Sequence, residues 1–571
     1  MEPHETATVA HSDDDDADPV GIADSNPESV HPVTTDPTRD ERVPPGGEQP
    51  GWTGFLAGAV AAGAALGFGE LIEGATDDIP SLVVAVGELI VDYTPGDAVA
   101  RSIETLGSNQ KSVLLTGITV VSLLLGGVIG RLAQRRGRLI GAVGFAAFGV
   151  LGGWTAARNP LSPAVGSWVA ALAAAAVGAG VLLFLLSRLD RPTRMHTALE
   201  DPTDPAATRR AFLAYAGVMG AGAALMVGGG RRLRGKSAAE TARESIDIGA
   251  TRSSSAAGTE SASTAAAPEE VTTLDDVLGI SSYITPNDDF YRIDTALTVP
   301  QVDPATWSLR FTGMVDNPFE LTLDDILAMD LDDHVVTLSC VSNEVGGSLV
   351  GNATWTGVPL STLLDRAGIQ NGATQVVGRS VDDWTAGFPT DVVFDGRNAI
   401  LAVGMNGEPL PISHGFPARL VVAGLYGYVS AVKWIEEIHL TRWEDFDGYW
   451  VPRGWSKEGP MKTQSRIDVP RRSAEIVAGT TAVAGVAWAP TRGIEMVEIS
   501  VDDGAWQTCA LGEALGEESW VQWKTTWDAT PGDHEIQVRA TDGDGELQPL
   551  GPKAPRPDGA EGYHRIRVRV V

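Results

Sequence analysis

Five apolar runs in the first half of the chain constrain its architecture more than any other feature. They lie near Gly54–Ile72, Val113–Leu132, Leu139–Ala157, Val165–Ser187 and Phe212–Gly229. Each approaches the about 20 residues that a helix needs to cross a bilayer. Hydrocarbon offers no partner to backbone N–H and C=O groups, so such runs are expected as helices. All five are rich in Gly and Ala, which lets neighbouring helices approach closely. A sixth run, Ile79–Val91, is short and carries Glu88, and reads as an interfacial or re-entrant piece.

Basic residues orient the bundle. Arg131, Arg135, Arg136 and Arg138 separate the second and third runs, and Arg188, Arg191, Arg194, Arg209 and Arg210 separate the fourth and fifth. Both loops are expected on the cytoplasmic side, with the acidic Glu73–Lys111 loop outside. That predicts a multi-pass protein of the cell membrane with everything after Gly230 on the extracytoplasmic face. The basic stretch "RRLRGK", Arg231 to Lys236, lies on the wrong side for this rule. The fifth run opens with "TRRAFLAYAGVMGAGAALMVGG", which reads either as a twin-arginine export signal or as an ordinary cytoplasmic flank.

The rest divides by composition. Residues 1–50, with "SDDDDAD", form an acidic tail with too little apolar surface to order itself. Residues 51–230 are the membrane region. Residues 231–270 are dominated by Ser, Ala, Thr and Gly and read as a flexible linker. From 271 to 468, short β-branched strands alternate with brief helices such as "TLDDILAM" and "PLSTLLDRAGI", which suggests α+β. From 469 to 571 the alternation becomes all-β, as in "EMVEISVDDGAWQTCAL" and "GDHEIQVRATD", and predicts an immunoglobulin-like sandwich. Its Trp488, Trp506, Trp520, Trp523 and Trp527 are expected in that sandwich core.

The formal net charge of -32 argues against nucleic acid as a partner. It also suits a surface kept hydrated in concentrated salt, as in halophiles. With two cysteines, Cys340 and Cys509, an iron–sulfur cluster or cysteine-rich zinc site is not expected. None of the nine histidines lies in an apolar run, so the bundle is not expected to carry haem.

Cys340 stands out within "VVTLSCVSNEVGG". A buried strand there delivers the thiol into a turn closed by Gly346 and Gly347. From the residues alone it is a core hydrophobe, a nucleophile served by His334 or His414, or a ligand for a soft metal. Cys509 reads as a core thiol.

The segments "TPNDDFYRID", "GNATWTGVPLSTLL" and "HGFPARLVVAGLYGYVSAVKWIEEI" follow one another in the order of a known family. From Leu274 onward the chain resembles the sulfite oxidase family of molybdenum–pterin enzymes, including its methionine sulfoxide reductase relatives. The resemblance implies that Cys340 ligates molybdenum. It implies that His414, Arg419, Ser430 and Lys433 hold the pterin and its phosphate, and that Asn287, Tyr291, Arg292 and Ser380 line the pterin. "MKTQSRIDVP" resembles the family's connection to a dimerisation-type domain, which implies a possible homodimer.

The implied reaction is two-electron oxygen-atom transfer on a small substrate, with electrons exchanged through an unidentified carrier. Sulfite-oxidising members follow the cysteine with "AGNRR", whereas this chain has "VSNEV". Glu344 then replaces a group that would hold an anion, Arg292 is displaced by one position, and Trp455 stands where a tyrosine is expected. Sulfite is therefore not the expected substrate. The alternatives are reduction of a sulfoxide or N-oxide, or a non-catalytic membrane-tethered scaffold that kept the fold.

Overall fold

A computed structural model describes residues 50–76, 79–106, 109–189, 205–233, 237–248 and 273–571. The acidic tail lies outside the described residues.

Among the described residues, five helices are long and apolar enough to cross a membrane. In chain order the helices are α1 (Gly51–Ala75), α2 (Leu82–Tyr93), α3 (Gly96–Leu106), α4 (Gln110–Arg136), α5 (Arg138–Ala156), α6 (Ala164–Leu189) and α7 (Pro205–Leu233). Glycine sets the closest crossing. Gly54 and Gly58 of α1 lie against Gly126 and Gly130 of α4, and a Cβ on Gly58 would overlap the Gly126 carbonyl. Two small residues spaced four apart on each helix thus bring the backbones together. The same device joins α1 to α7, where Gly74 meets the Gly230 backbone.

These contacts make α1 and α4 antiparallel and α1 and α7 parallel. Arg131 and Arg135 therefore lie at the end where α1 begins, with Arg131 Nε beside Gly51. The opposite end carries α2, α3 and the start of α4. The run Ile79–Val91 forms the short helix α2 with its N-terminus capped by Ser81, but α3 behind it was not expected from the sequence.

The stretch read as a free linker differs from expectation. Ser237 caps a helix, α8 (Ala238–Ser245), by accepting a hydrogen bond from Glu240 N. Arg243 of α8 donates to the carbonyls of Pro409 and Leu410 and pairs with Glu408 at 3.0 Å. Ile248 is buried. Local capping and one arginine outweigh the Ser/Ala composition; residues 249–272 lie outside the described set.

Beyond the bundle, two sheets share one core. Strands β1 (Ser308–Gly313), β2 (Phe319–Thr322), β5 (Gln375–Ser380), β6 (Thr385–Pro389) and β10 (Ile435–Thr441) run in the order β2-β1-β10-β5-β6, with β1 and β10 parallel. Strands β3 (Asp332–Ser339), β4 (Val350–Pro359), β7 (Ala399–Met405) and β8 (Glu408–Pro409) form the second sheet, and β9 (Arg419–Val422) pairs with β7. The two expected short helices are present as α9 (Leu323–Leu327) and α10 (Leu360–Ala367). A capping box between Thr322 and Asp325 starts α9.

The C-terminal part is all β. Its two sheets, four- and five-stranded, contribute Val483, Trp523, Val497, Ile536 and Val568 to one common core. Cys509 belongs to that core, and burial pushes its thiol up to about 12. Trp488 and Trp520 do not; they pack with Tyr283 and Val350 from the preceding domain. Trp506 instead stands edge-on to Tyr563 and under Arg539. At this seam Trp520 donates to the Tyr283 carbonyl at 2.8 Å.

Candidate active site

Cys340 follows β3 directly. Its N–H donates to the Leu349 carbonyl at 2.9 Å, closing the base of the β3–β4 connection. Inside this loop the Asn343 side chain accepts from Leu349 N at 2.9 Å. Gly346 has φ +75, a conformation that favours glycine. At Gly347 a Cβ would strike the Asn343 side-chain oxygen. The strand and the glycine-closed turn are thus as the sequence implied. Cys340 is 8% exposed, and burial, only partly offset by hydrogen bonds from Ser342, pushes its thiol upward.

The surroundings of Cys340 are not purely aliphatic. Tyr291 and Tyr426 both lie close enough to feel its charge, and Tyr291 also feels Arg419. Arg419 opens β9 and is 5% exposed. Its Nη1 donates to the His414 carbonyl at 3.1 Å, and the guanidinium lies 4.8 Å from the centre of the Trp355 ring. Among the described residues no carboxylate pairs with it. Burial draws it down to about 10.

His414 is buried against Phe290, edge to face at 5.7 Å. Its Nε2 lies 3.2 Å from the Asn287 carbonyl, so Nε2 carries the proton and donates there. Burial, then Arg419 and Lys433, lower it to about 4, which leaves the ring neutral near pH 7 with Nδ1 an acceptor. Gly415, with φ +114, lets this corner close: a Cβ there would sit 3.1 Å from both Arg419 Cβ and Lys433 Cα.

Lys433 is also buried, which lowers it to about 8 despite Asp294. Its Nζ pairs with Asp294 Oδ2 at 2.9 Å and donates to the Ser413 carbonyl at 3.2 Å. Arg292 approaches the same carboxylate at 3.6 Å and is half exposed. Asn287 is held by Asn406, whose Nδ2 donates to its Oδ1 at 2.8 Å.

Cys340, Tyr291, Arg419, His414, Asn287, Lys433 and Arg292 therefore form one neighbourhood. Ser430 is fully buried on the short helix α11 (Gly427–Ser430), and its hydroxyl donates to the Tyr426 carbonyl at 3.2 Å. Ser380 is buried at the end of β5, where its N–H donates to Trp384 O at 2.9 Å. Glu344 is exposed on the Cys340 turn. Trp455 packs with Tyr428 and Trp450 at centroid distances of 5.9 and 6.3 Å.

Sequence reasoning missed Tyr426, Trp355, Asp294 and Lys111. Asp294 lay inside the quoted "FYRID", and its alternation with Arg292 was the available signal. Nothing local marked Lys111, which reaches Asp294 from 183 positions away.

The donor set suits a phosphorylated, sulfur-ligated group. A buried guanidinium without a carboxylate is costly unless an anion completes it. A thiol in a partly polar setting can become the thiolate a metal needs.

Comparison with known proteins agrees. The oxidoreductase molybdopterin binding domain matches residues 296–450. The chain is 29% identical to human mitochondrial sulfite oxidase over 320 residues, covering 47% of this chain and 58% of that one. Against sulfite oxidase of Arabidopsis thaliana it is 28% identical over 331 residues, 47% and 83% of the two chains. Against the uncharacterized oxidoreductase YuiH of Bacillus subtilis it is 34% identical over 163 residues, 28% of this chain and 79% of the other. This chain thus spans little more than half of the human relative. With the thiol, the buried arginine and the matched domain in one place, the chain belongs to the sulfite oxidase family of molybdopterin-dependent oxidoreductases.

Proposed function

We propose that this protein is a membrane-anchored molybdenum enzyme that performs two-electron oxygen-atom transfer on a small neutral substrate. The observation that carries the reading is Arg419, a buried cation without an acid partner among the described residues, bonded to His414 and sharing Tyr291 as a neighbour with Cys340. Molybdenum held by a pterin, when bound, supplies the oxygen-atom and electron exchange. Cys340 would ligate the metal as thiolate. Arg419 and Lys433 would seat the phosphate, and neutral His414 would offer Nδ1 as an acceptor to the pterin. Asn287 and Tyr291 would flank that ring. Ser430 and Ser380 would complete the lining of the pterin site.

Against sulfite stand three residues. Glu344 puts a carboxylate on the Cys340 turn, Arg292 is directed to Asp294, and Trp455 contributes an indole in an aromatic cluster. An anion would meet one repulsive charge and one occupied cation there. The sulfite oxidase names of the relatives favour the second reading, oxidation of sulfite itself.

Placement of the catalytic part at the end of the bundle opposite Arg131 and Arg135 supports an extracytoplasmic location by the positive-inside rule. Arg209 and Arg210, exposed at the start of α7, suit a twin-arginine signal. The C-terminal pair of sheets suits an immunoglobulin-like dimerisation module. An unidentified electron carrier completes turnover.

Metal and pterin analysis of the purified full chain tests the core of the proposal, and protein made in a cofactor-producing host but lacking molybdenum would refute it. Loaded protein is then assayed with sulfite and ferricyanide, and with a neutral sulfoxide or N-oxide and reduced viologen. Fast sulfite turnover at micromolar concentration would overturn the neutral-substrate reading.

A further inference from the structure

Asp294 is 5% exposed and carries a lysine on each oxygen. Lys433 takes Oδ2 at 2.9 Å. Lys111, from the first turn of α4, takes Oδ1 at 2.6 Å and also donates to the Ala296 carbonyl. Next to this knot, Leu297 packs on Gly87 of α2. The membrane region therefore supplies a charge to the rim of the site.

Counting charge shows what Lys111 does. Two lysines and one carboxylate leave one net positive charge for an incoming anion. Without Lys111, Lys433 and Asp294 close on each other as a neutral pair, and the phosphate is left to Arg419 and half-exposed Arg292. A cation locked in a buried pair is a poor phosphate ligand, since breaking the pair strands the carboxylate.

We propose that Lys111 is a positioning residue for the pterin-phosphate site: by covering Asp294 it leaves Lys433 available to phosphate, so the membrane bundle completes the cofactor site. This rests on the phosphate-seating role of Lys433 proposed above.

The test uses the full chain in detergent as wild type, Lys111→Met and Lys111→Arg. In a cofactor-producing host, molybdenum and pterin per chain should fall about three- to tenfold in Lys111→Met, the effect of one partly screened charge. Occupancy should return in Lys111→Arg. In a host without the cofactor, thermal stabilisation by inorganic pyrophosphate should be clear for wild type and Lys111→Arg and weak for Lys111→Met. Equal occupancy or equal stabilisation in Lys111→Met overturns the inference, as does a Lys111→Arg protein as defective as Lys111→Met, which would indicate packing alone. Should wild type bind pyrophosphate yet carry no molybdenum, the enzyme reading fails while the pyrophosphate series still decides the role of Lys111. Wild type unmoved by pyrophosphate also overturns it.

Discussion

Replacing Arg419 with Met should make the cofactor-free protein locally more stable while removing its capacity to hold pterin. Burial draws this guanidinium down to about 10. At about 1.4 kcal/mol for each tenfold change in proton affinity, keeping the charge costs the empty fold about 3 kcal/mol. The sign follows from a base whose affinity for its proton is lower folded than unfolded: the charged form, present at neutral pH, opposes folding. Against this, the variant loses the charge-assisted hydrogen bond to the His414 carbonyl and the contact with Trp355, together about 2 kcal/mol. Methionine fills most of the same aliphatic volume. The net gain is about 1 kcal/mol, which should slow amide exchange of β9 by about fivefold, provided exchange proceeds through local opening. Hydrogen exchange at Arg419–Val422 is the suitable assay, because a chain of several domains does not unfold in one step. Faster exchange in Arg419→Met than in wild type would refute the reasoning, since it would make the guanidinium a structural pillar.

Cys340→Ser should retain the pterin and its molybdenum, seated by Arg419, His414 and Lys433, but lose oxygen-atom transfer; elemental analysis and pterin fluorescence beside turnover read the split. Pyrophosphate binding by cofactor-free protein should weaken as pH rises through about 8, because Lys433 loses its charge there and carries it below; calorimetry from pH 6 to 9 checks this direction. Gly58→Val should disrupt the α1–α4 crossing, since a Cβ there overlaps the Gly126 carbonyl. Its cost should exceed about 2 kcal/mol, visible as earlier unfolding of the bundle in a denaturing-detergent titration.

Legibility from sequence followed the range of the interactions. The five long apolar helices were readable because length and apolar composition are properties of each segment separately. Cys340 and its turn were readable because a β-branched run and two glycines act locally. Helix α8 was obscured by its Ser/Ala composition, although Ser237 and Glu240 carried a capping signal. Helix α3 was missed because its first turns lack an apolar run. Trp488 and Trp520 were assigned to the wrong core, since alternation along a strand gives a face but not which neighbour covers it. Lys111 was out of reach for the same reason: an ion pair spanning 183 positions has no local signature.

The attachment of the catalytic part to the bundle has a consequence for electron exchange. Leu297 packs on Gly87 of α2, Lys111 of α4 grips Asp294, and Gly96 of α3 abuts Arg453. With three anchors the head sits like a turret bolted to its deck, not a buoy on a line. On the proposed membrane placement, a redox partner would meet the head at one fixed height above the lipid.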